Sequence, residues 1–147
     1  MANEASIRSS LTIRKTSGTT VRIDYQSRPS SFNATVTGTK GPVPGAVRVL
    51  TTGTNISFGE LTTPGFVRLG NLDSTNYYEY GIYDANTNRF YPLGEVGPGE
   101  SYVLKFSRNL LEYYFPGTGT GTSGDTNFFR LRANTAALDA VVEAFEK

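Results

Sequence analysis

The chain has 147 residues, with 14 Lys/Arg, 13 Asp/Glu and neither histidine, cysteine nor tryptophan. This length suits one domain whose core needs no disulfide. The missing histidine and cysteine exclude disulfides, thiolate or histidine metal sites, and catalysis by serine–histidine or cysteine–histidine pairs.

Targeting signals are missing from the sequence. No run of about 18 apolar residues occurs, so we expect no transmembrane helix. The first ten residues, MANEASIRSS, contain no apolar stretch of the kind found in secretory signals. We therefore expect a protein that is made in the cytosol and is not exported by that route.

The net charge of +1 is unevenly distributed. Residues 1–50 carry seven Lys/Arg and two Asp/Glu, a net +5, whereas residues 51–147 carry seven and eleven, a net −4. Either the first part presents a basic surface to an acidic partner, or the two parts interleave in space and the asymmetry disappears. A total charge near zero does not favour nucleic-acid binding, although Arg130 and Arg132 share a face beside Phe128.

Alternation of apolar and polar residues recurs along the chain and predicts half-buried β-strands. In VRIDYQ, Val21, Ile23 and Tyr25 lie on one face. Similar stretches are FNATVT, AVRVL, FVRLG and FFRLRA. Turns rich in Gly and Pro intervene every 8–14 residues or so, a spacing typical of sandwiches and jelly rolls. The sequence predicts an all-β fold, a single antiparallel β-sandwich (jelly-roll or Ig-like) over residues 1–147. We expect residues 1–8 to be an N-terminal arm that makes a second contact, or a frayed end.

Two Pro-Gly pairs and one polar tetrapeptide indicate turns. Pro64-Gly65 and Pro98-Gly99 fit the central positions of type II turns. YYEYGIYD and RFYPLGEV flank ANTN, which predicts a hairpin. GPGE then leads into SYVLKF, and we expect this strand to complete a three-stranded meander.

Helical signals are few. SRNLLEYY, at 107–114, is compatible with a short helical turn capped by Ser107. The final stretch, NTAALDAVVEAFEK, has the Ala, Leu and Glu of a helix, yet it also alternates. We predict a terminal strand, with one face formed by Leu138, Ala140, Val142 and Ala144.

FPGTGTGTSGDTN, at 115–127, is the most biased segment. A phosphate-binding loop needs a lysine and a helix after its second glycine, and here no lysine follows while a strand does. The segment is predicted to be a long Gly/Thr-rich surface loop, or a loop that orders against a neighbouring subunit.

DANTN resembles the start of a calcium loop. Asp84, Asn86, Asn88 and Glu95 take positions one, three, five and twelve. The glycine required at position six is Arg89, and the flanks are strands, so ordinary hairpin chemistry is the competing interpretation.

The sequence shows no set of residues whose types and spacing indicate a catalytic site. Carboxylates that could serve glycoside hydrolysis are Asp73, Glu79, Asp84 and Glu95, but nothing in the sequence pairs them. We predict no enzymatic activity and no cofactor.

Aromatic residues concentrate in one region. Eleven of the eighteen Phe/Tyr residues fall between Tyr77 and Phe115. Such side chains pack a core or form an exposed patch, and an exposed patch usually marks an interface. The candidate interface anchors, each with core packing as its alternative, are Tyr77, Tyr78, Tyr80, Tyr83, Tyr113, Tyr114 and Phe115.

Four motifs between Ile56 and Arg108 carry a resemblance to a known group of proteins. They are LTTPG, NLD-x-TNY, an aromatic-Pro-Leu strand and PGE, at 61–65, 71–77, 90–93 and 98–100. In these the chain resembles small virion proteins of tailed bacteriophages.

The resemblance implies a capsid decoration (cement) protein in the virion, assembled in the host cytoplasm. It implies binding to the major capsid protein or other virion proteins as a homo-oligomer, with a trimer favoured. From the charge and the lack of long apolar runs we expect neither nucleic acid nor membrane as a partner. The resemblance supplies no binding residues. The alternative is a tail or neck module that recognises host-surface carbohydrate through tyrosines, against which the missing tryptophan counts.

Overall fold

The computed structural model describes residues 3–36, 40–61, 64–106 and 127–146. Its regular structure there is β-strand throughout, which confirms the all-β prediction. None of the described residues forms a helix long and apolar enough to cross a membrane. The chain divides into two compact units, Met1–Thr37 and Gly38–Lys147.

The first unit consists of two successive pairs of antiparallel strands, together called the ribbon. Its strands are β1 (Asn3–Ser9), β2 (Thr12–Ser17), β3 (Thr20–Gln26) and β4 (Ser30–Val36). β2 and β3 form a hairpin whose turn contains Gly18 with φ +62°, a value that favours glycine. β1 pairs with β4 outside this hairpin. Between the two pairs, the amide of Ser27 donates to the carbonyl of Leu11 at 2.8 Å, and the amide of Leu11 donates to Ser27 Oγ at 2.8 Å.

The second unit is a sandwich of two four-stranded antiparallel sheets. The strand order is β10-β7-β12-β5 in the first sheet and β6-β11-β8-β9 in the second. Their bounds are β5 Val43–Val49, β6 Thr54–Asn55, β7 Pro64–Asn71, β8 Tyr78–Asp84, β9 Arg89–Val96, β10 Ser101–Lys105, β11 Asn127–Ala133 and β12 Leu138–Glu146. The sequence predicted one sandwich over 1–147; in the structure, the sandwich sheets contain none of the strands of residues 3–36.

The sandwich core forms between the inner faces of the two sheets. Phe129 on β11 is at its aromatic centre, with ring centroids 5.4 Å from Phe106 and 6.0 Å from Phe58. The predicted terminal strand is confirmed as β12. Its alternate residues are all buried, namely Leu138, Ala140, Val142 and Ala144.

Two turn predictions have different outcomes. Gly99 has φ +68°, and the amide of Glu100 donates to the carbonyl of Gly97 at 3.1 Å, which fits the turn predicted at Pro98-Gly99. The turn predicted at Pro64-Gly65 is wrong, because these two residues begin β7. Proline is tolerated as the first residue of a strand, where its missing N–H need not join the ladder.

The predicted hairpin is confirmed by the pairing of β8 with β9, but the predicted meander is wrong. β10 pairs with β7 of the other sheet. The hydrogen bonds of the GPGE turn explain this crossing. The amide of Gly99 donates to the carbonyl of Asp73 at 3.0 Å, and the amide of Asn71 donates to the carbonyl of Glu100 at 2.9 Å. These bonds direct the chain to the end of β7. The predicted helical turn at 107–114 and residues 115–126 of the loop predicted at 115–127 lie outside the described residues, and Asn127 begins β11.

Asn71 holds the loop between β7 and β8 to the turn after β9. Its side chain is buried, and Nδ2 donates to the carbonyls of Asn76 at 2.8 Å and Val96 at 3.1 Å. Its Oδ1 accepts from the amide of Asp73 at 2.9 Å. The NLD-x-TNY motif is therefore a structural element whose polar groups satisfy one another.

Asp73 makes the same loop sensitive to acid. Its Oδ1 accepts from the amides of Asn76 at 2.6 Å and Thr75 at 2.7 Å. Both bonds lower the pKa of the Asp73 carboxyl, and the bond from Asn76 has the larger effect. A folded-state pKa below the unfolded one stabilises the protein above the unfolded value. That contribution is lost as the pH falls through the folded pKa.

Replacing Asp73 by asparagine should therefore flatten the acid side of the stability profile. Asparagine keeps the acceptor oxygen but does not titrate, so the variant should lose less stability than wild type as the pH falls below 3.8, the ordinary pKa of an aspartate. Urea denaturation midpoints between pH 5 and pH 2 measure this. Glu60→Gln, at an exposed position, is the control and should follow wild type. Parallel acid profiles for Asp73→Asn and wild type would contradict the prediction.

Candidate interaction surfaces

One side of the ribbon forms an exposed apolar surface, here called the ribbon face. Alternation on β3 places Val21, Ile23 and Tyr25 on one side, and Ile13 of β2 is opposite Tyr25 in the register. The exposed fractions are 61% for Val21, 54% for Ile23, 52% for Tyr25 and 43% for Ile13. Arg14 is opposite Ile23, so a cation borders this apolar strip.

The opposite side of the same strands is polar and internally paired. Lys15 Nζ lies 3.0 Å from Asp24 Oδ2, and Arg22 Nε lies 2.8 Å from Asp24 Oδ1. One carboxylate thus faces two cations on a surface suited to water. The ribbon is amphipathic across its thickness, as a sheet with one buried face would be.

An isolated two-stranded ribbon is at best marginally stable in water, because it cannot bury either face. Three or more strands, or packing against another element, are needed for stability. The ribbon also leaves unpaired backbone groups along its edges, where another chain can add. The ribbon face therefore has the properties of a surface that is completed by contact with a protein.

The candidate tyrosines on β8 are separated by strand alternation. Tyr78 is fully buried, and this burial raises the pKa of its hydroxyl. Tyr80 also points inward, with its ring centroid 6.4 Å from that of Phe129. Tyr83 lies on the outer face, where its hydroxyl donates to Asn88 Oδ1 at 2.7 Å. Tyr77, just before the strand, is exposed.

The four described candidates therefore do not form one patch, and core packing accounts for Tyr78. The remaining candidates, Tyr113, Tyr114 and Phe115, lie outside the described residues.

The outer face of the second sheet carries a layer of arginines over aromatic rings. The guanidinium carbon of Arg130 lies 3.2 Å from the ring centroid of Tyr83, and that of Arg132 lies 4.7 Å from the centroid of Phe90. Arg132 also donates to Glu79 Oε2 through Nη2 at 2.6 Å and Nε at 3.1 Å. The sequence showed that the two arginines share a face, but it gave no indication of the residues that hold them.

The weak calcium candidates are not brought together. Asp84 Oδ1 accepts from the amide of Asn86 at 2.9 Å, and its Oδ2 accepts from Thr87 Oγ1 at 2.6 Å. The hydrogen bond from the Thr87 hydroxyl is the main cause that lowers the pKa of the Asp84 carboxyl. Asn88 has φ +53°, a value asparagine tolerates in tight turns. These contacts are those of a hairpin turn.

Glu95 lies at the far end of the hairpin, opposite Glu79 in the register, so it cannot serve as the twelfth ligand. No group of three or more Asp or Glu suited to a metal occurs among the residues that the structure describes. Of the four carboxylates considered for catalysis, Glu79 is bound by Arg132, and Asp73 and Asp84 accept bonds within their own turns.

No family model, curated protein or solved structure matches this chain.

Proposed function

We propose that the protein is a structural component of a tailed-phage virion, a capsid decoration (cement) protein. In this role it binds the shell of the major capsid protein and stabilises it through protein–protein contacts. The ribbon face carries the proposal, because it is an apolar surface on an element that needs a partner. The turn and strand motifs between Ile56 and Arg108 supply the link to phage virion proteins.

The physical basis of adhesion is burial of the ribbon face. Burying four side chains that are each about half exposed contributes on the order of 1 kcal/mol apiece. Unpaired backbone groups at the ribbon edges add hydrogen bonds if a strand of the partner extends the sheet. Such a contact is modest alone, and repetition around an oligomer strengthens it through effective concentration. A homo-oligomer, with a trimer favoured, is therefore part of the proposal.

The test is binding of the purified protein to shells that lack it. Val21→Lys together with Ile23→Lys puts two charges on the ribbon face, and we expect shell binding to fall at least a hundredfold because those charges would have to be desolvated. Thr20→Lys, on the opposite side of the same strand, is the matched control and should bind like wild type. Co-sedimentation with shells gives affinity and copy number.

Each result has a defined meaning. Hundreds of copies per particle and loss of binding only in the ribbon-face variant support the proposal. Equal binding by the ribbon-face variant and the control would show that another surface makes the contact. Failure of the wild-type protein to bind shells, together with a specific response on a glycan array, would support the carbohydrate-binding alternative.

A further inference from the structure

We propose that Arg130, on the outer face of the second sheet, binds a carboxylate group of a partner protein. The nature of the partner rests on the proposed function, whereas the chemistry of the site rests on the contacts of Arg130 itself.

Arg130 is held in one position by three neighbours. Its Nε donates to Asn55 Oδ1 at 2.6 Å, and its guanidinium lies over the ring of Tyr83. Gly53 faces its aliphatic stem, and a Cβ at Gly53 would lie 2.6 Å from Arg130 Cδ. Glycine at 53, with φ +95°, thus makes room for the arginine. The side chain is ordered before any ligand arrives.

The charge of Arg130 is not paired within the described part of the chain. The register places Asn55 and Gly81 beside it, and Pro92 lies beyond Gly81 in the same row. None of these residues is acidic. The nearest carboxylate along β8 on that face belongs to Glu79, and Arg132 binds it at 2.6 Å.

Two arginines of the first sheet are, by contrast, paired with carboxylates. Arg48 pairs with Asp139 at 2.9 Å, and Arg68 pairs with Glu143 at 2.7 Å. Fixing an arginine side chain in one conformation costs rotamer entropy. At Arg130 the contacts with Asn55, Tyr83 and Gly53 already fix the side chain, so binding a ligand does not cost this entropy again. The guanidinium donors are therefore preorganised. The terminal amino groups of Arg130 can then bind both oxygens of one carboxylate.

The same layer argues against a sugar on this face. Stacking on a pyranose requires an open aromatic ring, but Arg130 covers one side of Tyr83 and Arg132 covers Phe90. The surface offered to a partner is guanidinium over aromatic carbon. Arginine and tyrosine are also enriched at the energetic centres of protein interfaces. A protein carboxylate is the ligand that this chemistry fits.

The experiment titrates the full chain with a capped hexaglutamate peptide, and separately with inorganic phosphate, while the Arg130 Nε–H signal is followed by NMR. We expect saturable shifts at Arg130, Asn55 and Tyr83 with the peptide. Arg130→Met should weaken peptide binding about tenfold, and Arg130→Lys should weaken it less because lysine keeps the charge but lacks the fork. The charge-matched control is Arg68→Met on the other sheet, which should bind like wild type.

Unchanged peptide affinity in Arg130→Met would overturn the inference, as would a response to phosphate but none to the peptide. If Arg130→Met fails to fold, the wild-type Nε–H signal and Arg130→Lys still decide the question. The peptide titration uses no shells, so its failure is distinguishable from failure of the proposed function. If the wild-type chain binds shells but does not bind the peptide, the inference about Arg130 is rejected and the proposed function stands.

Discussion

Replacement of Phe129 by alanine should destabilise the sandwich by about 3–5 kcal/mol, a large share of the stability of a domain this size. Phe129 is almost fully buried, and its ring contacts those of Phe58, Phe106 and Tyr80. Removing the ring takes away its apolar burial and leaves a cavity whose aromatic lining cannot easily collapse. Urea denaturation followed by tyrosine fluorescence measures the loss.

The neighbouring residue provides a matched control. Phe128 lies on the outer face of the same strand and is only partly buried, so Phe128→Ala should lose about 1 kcal/mol or less. Similar losses at Phe128 and Phe129 would mean that the assignment of inner and outer faces on β11 is wrong.

Replacement of Asn71 by alanine is expected to lower the free energy of unfolding by about 3 kcal/mol, because three hydrogen bonds disappear at a buried position. The carbonyls of Asn76 and Val96 and the amide of Asp73 would lose their partner. Asn134→Ala, at an exposed position, is the control and should change stability by less than about 0.5 kcal/mol.

Asn71→Asp tests the same contacts through pH. An ionised carboxylate at 71 would face two carbonyl oxygens, so the folded state should hold its proton more tightly than the unfolded state. A raised folded-state pKa at residue 71 contributes stability, relative to wild type, that is present below the unfolded pKa and is lost as the pH rises through the folded pKa. A stability difference between variant and wild type that is the same at pH 4 and pH 8 would show that residue 71 does not face those carbonyls.

Strands were predictable from the sequence because alternation of apolar and polar residues indicates which face of a strand is buried. FVRLG, FFRLRA and the final stretch with Leu138 and Val142 all became strands, and the last two have the expected buried faces. Alternation does not report which strand is the neighbour. The pairing of β10 with β7 depends on hydrogen bonds between the Gly97–Glu100 turn and the loop after Asn71, and no local pattern contains that information.

The candidate surfaces were less predictable, for a related reason. VRIDYQ has the pattern of a sandwich strand, yet it lies in the ribbon with its apolar side exposed. Alternation cannot tell a side that packs in a core from a side that stays exposed. Tyr78 and Tyr83 are of one residue type on one strand and point to opposite faces. Asn55 positions Arg130 from 75 residues away, a separation at which sequence spacing has no predictive value.

The place of β12 has a consequence for how the molecule assembles during synthesis. β12 follows every other sandwich strand along the chain but lies between β7 and β5. Until the ribosome has released it, both of those strands lack their shared neighbour, and the first sheet cannot close. The ribbon needs only contacts within residues 3–36 to pair, and local contacts form faster than distant ones. The strands of the ribbon can therefore begin to pair while the larger unit is still an open chain, so the apolar ribbon face forms before the sandwich does.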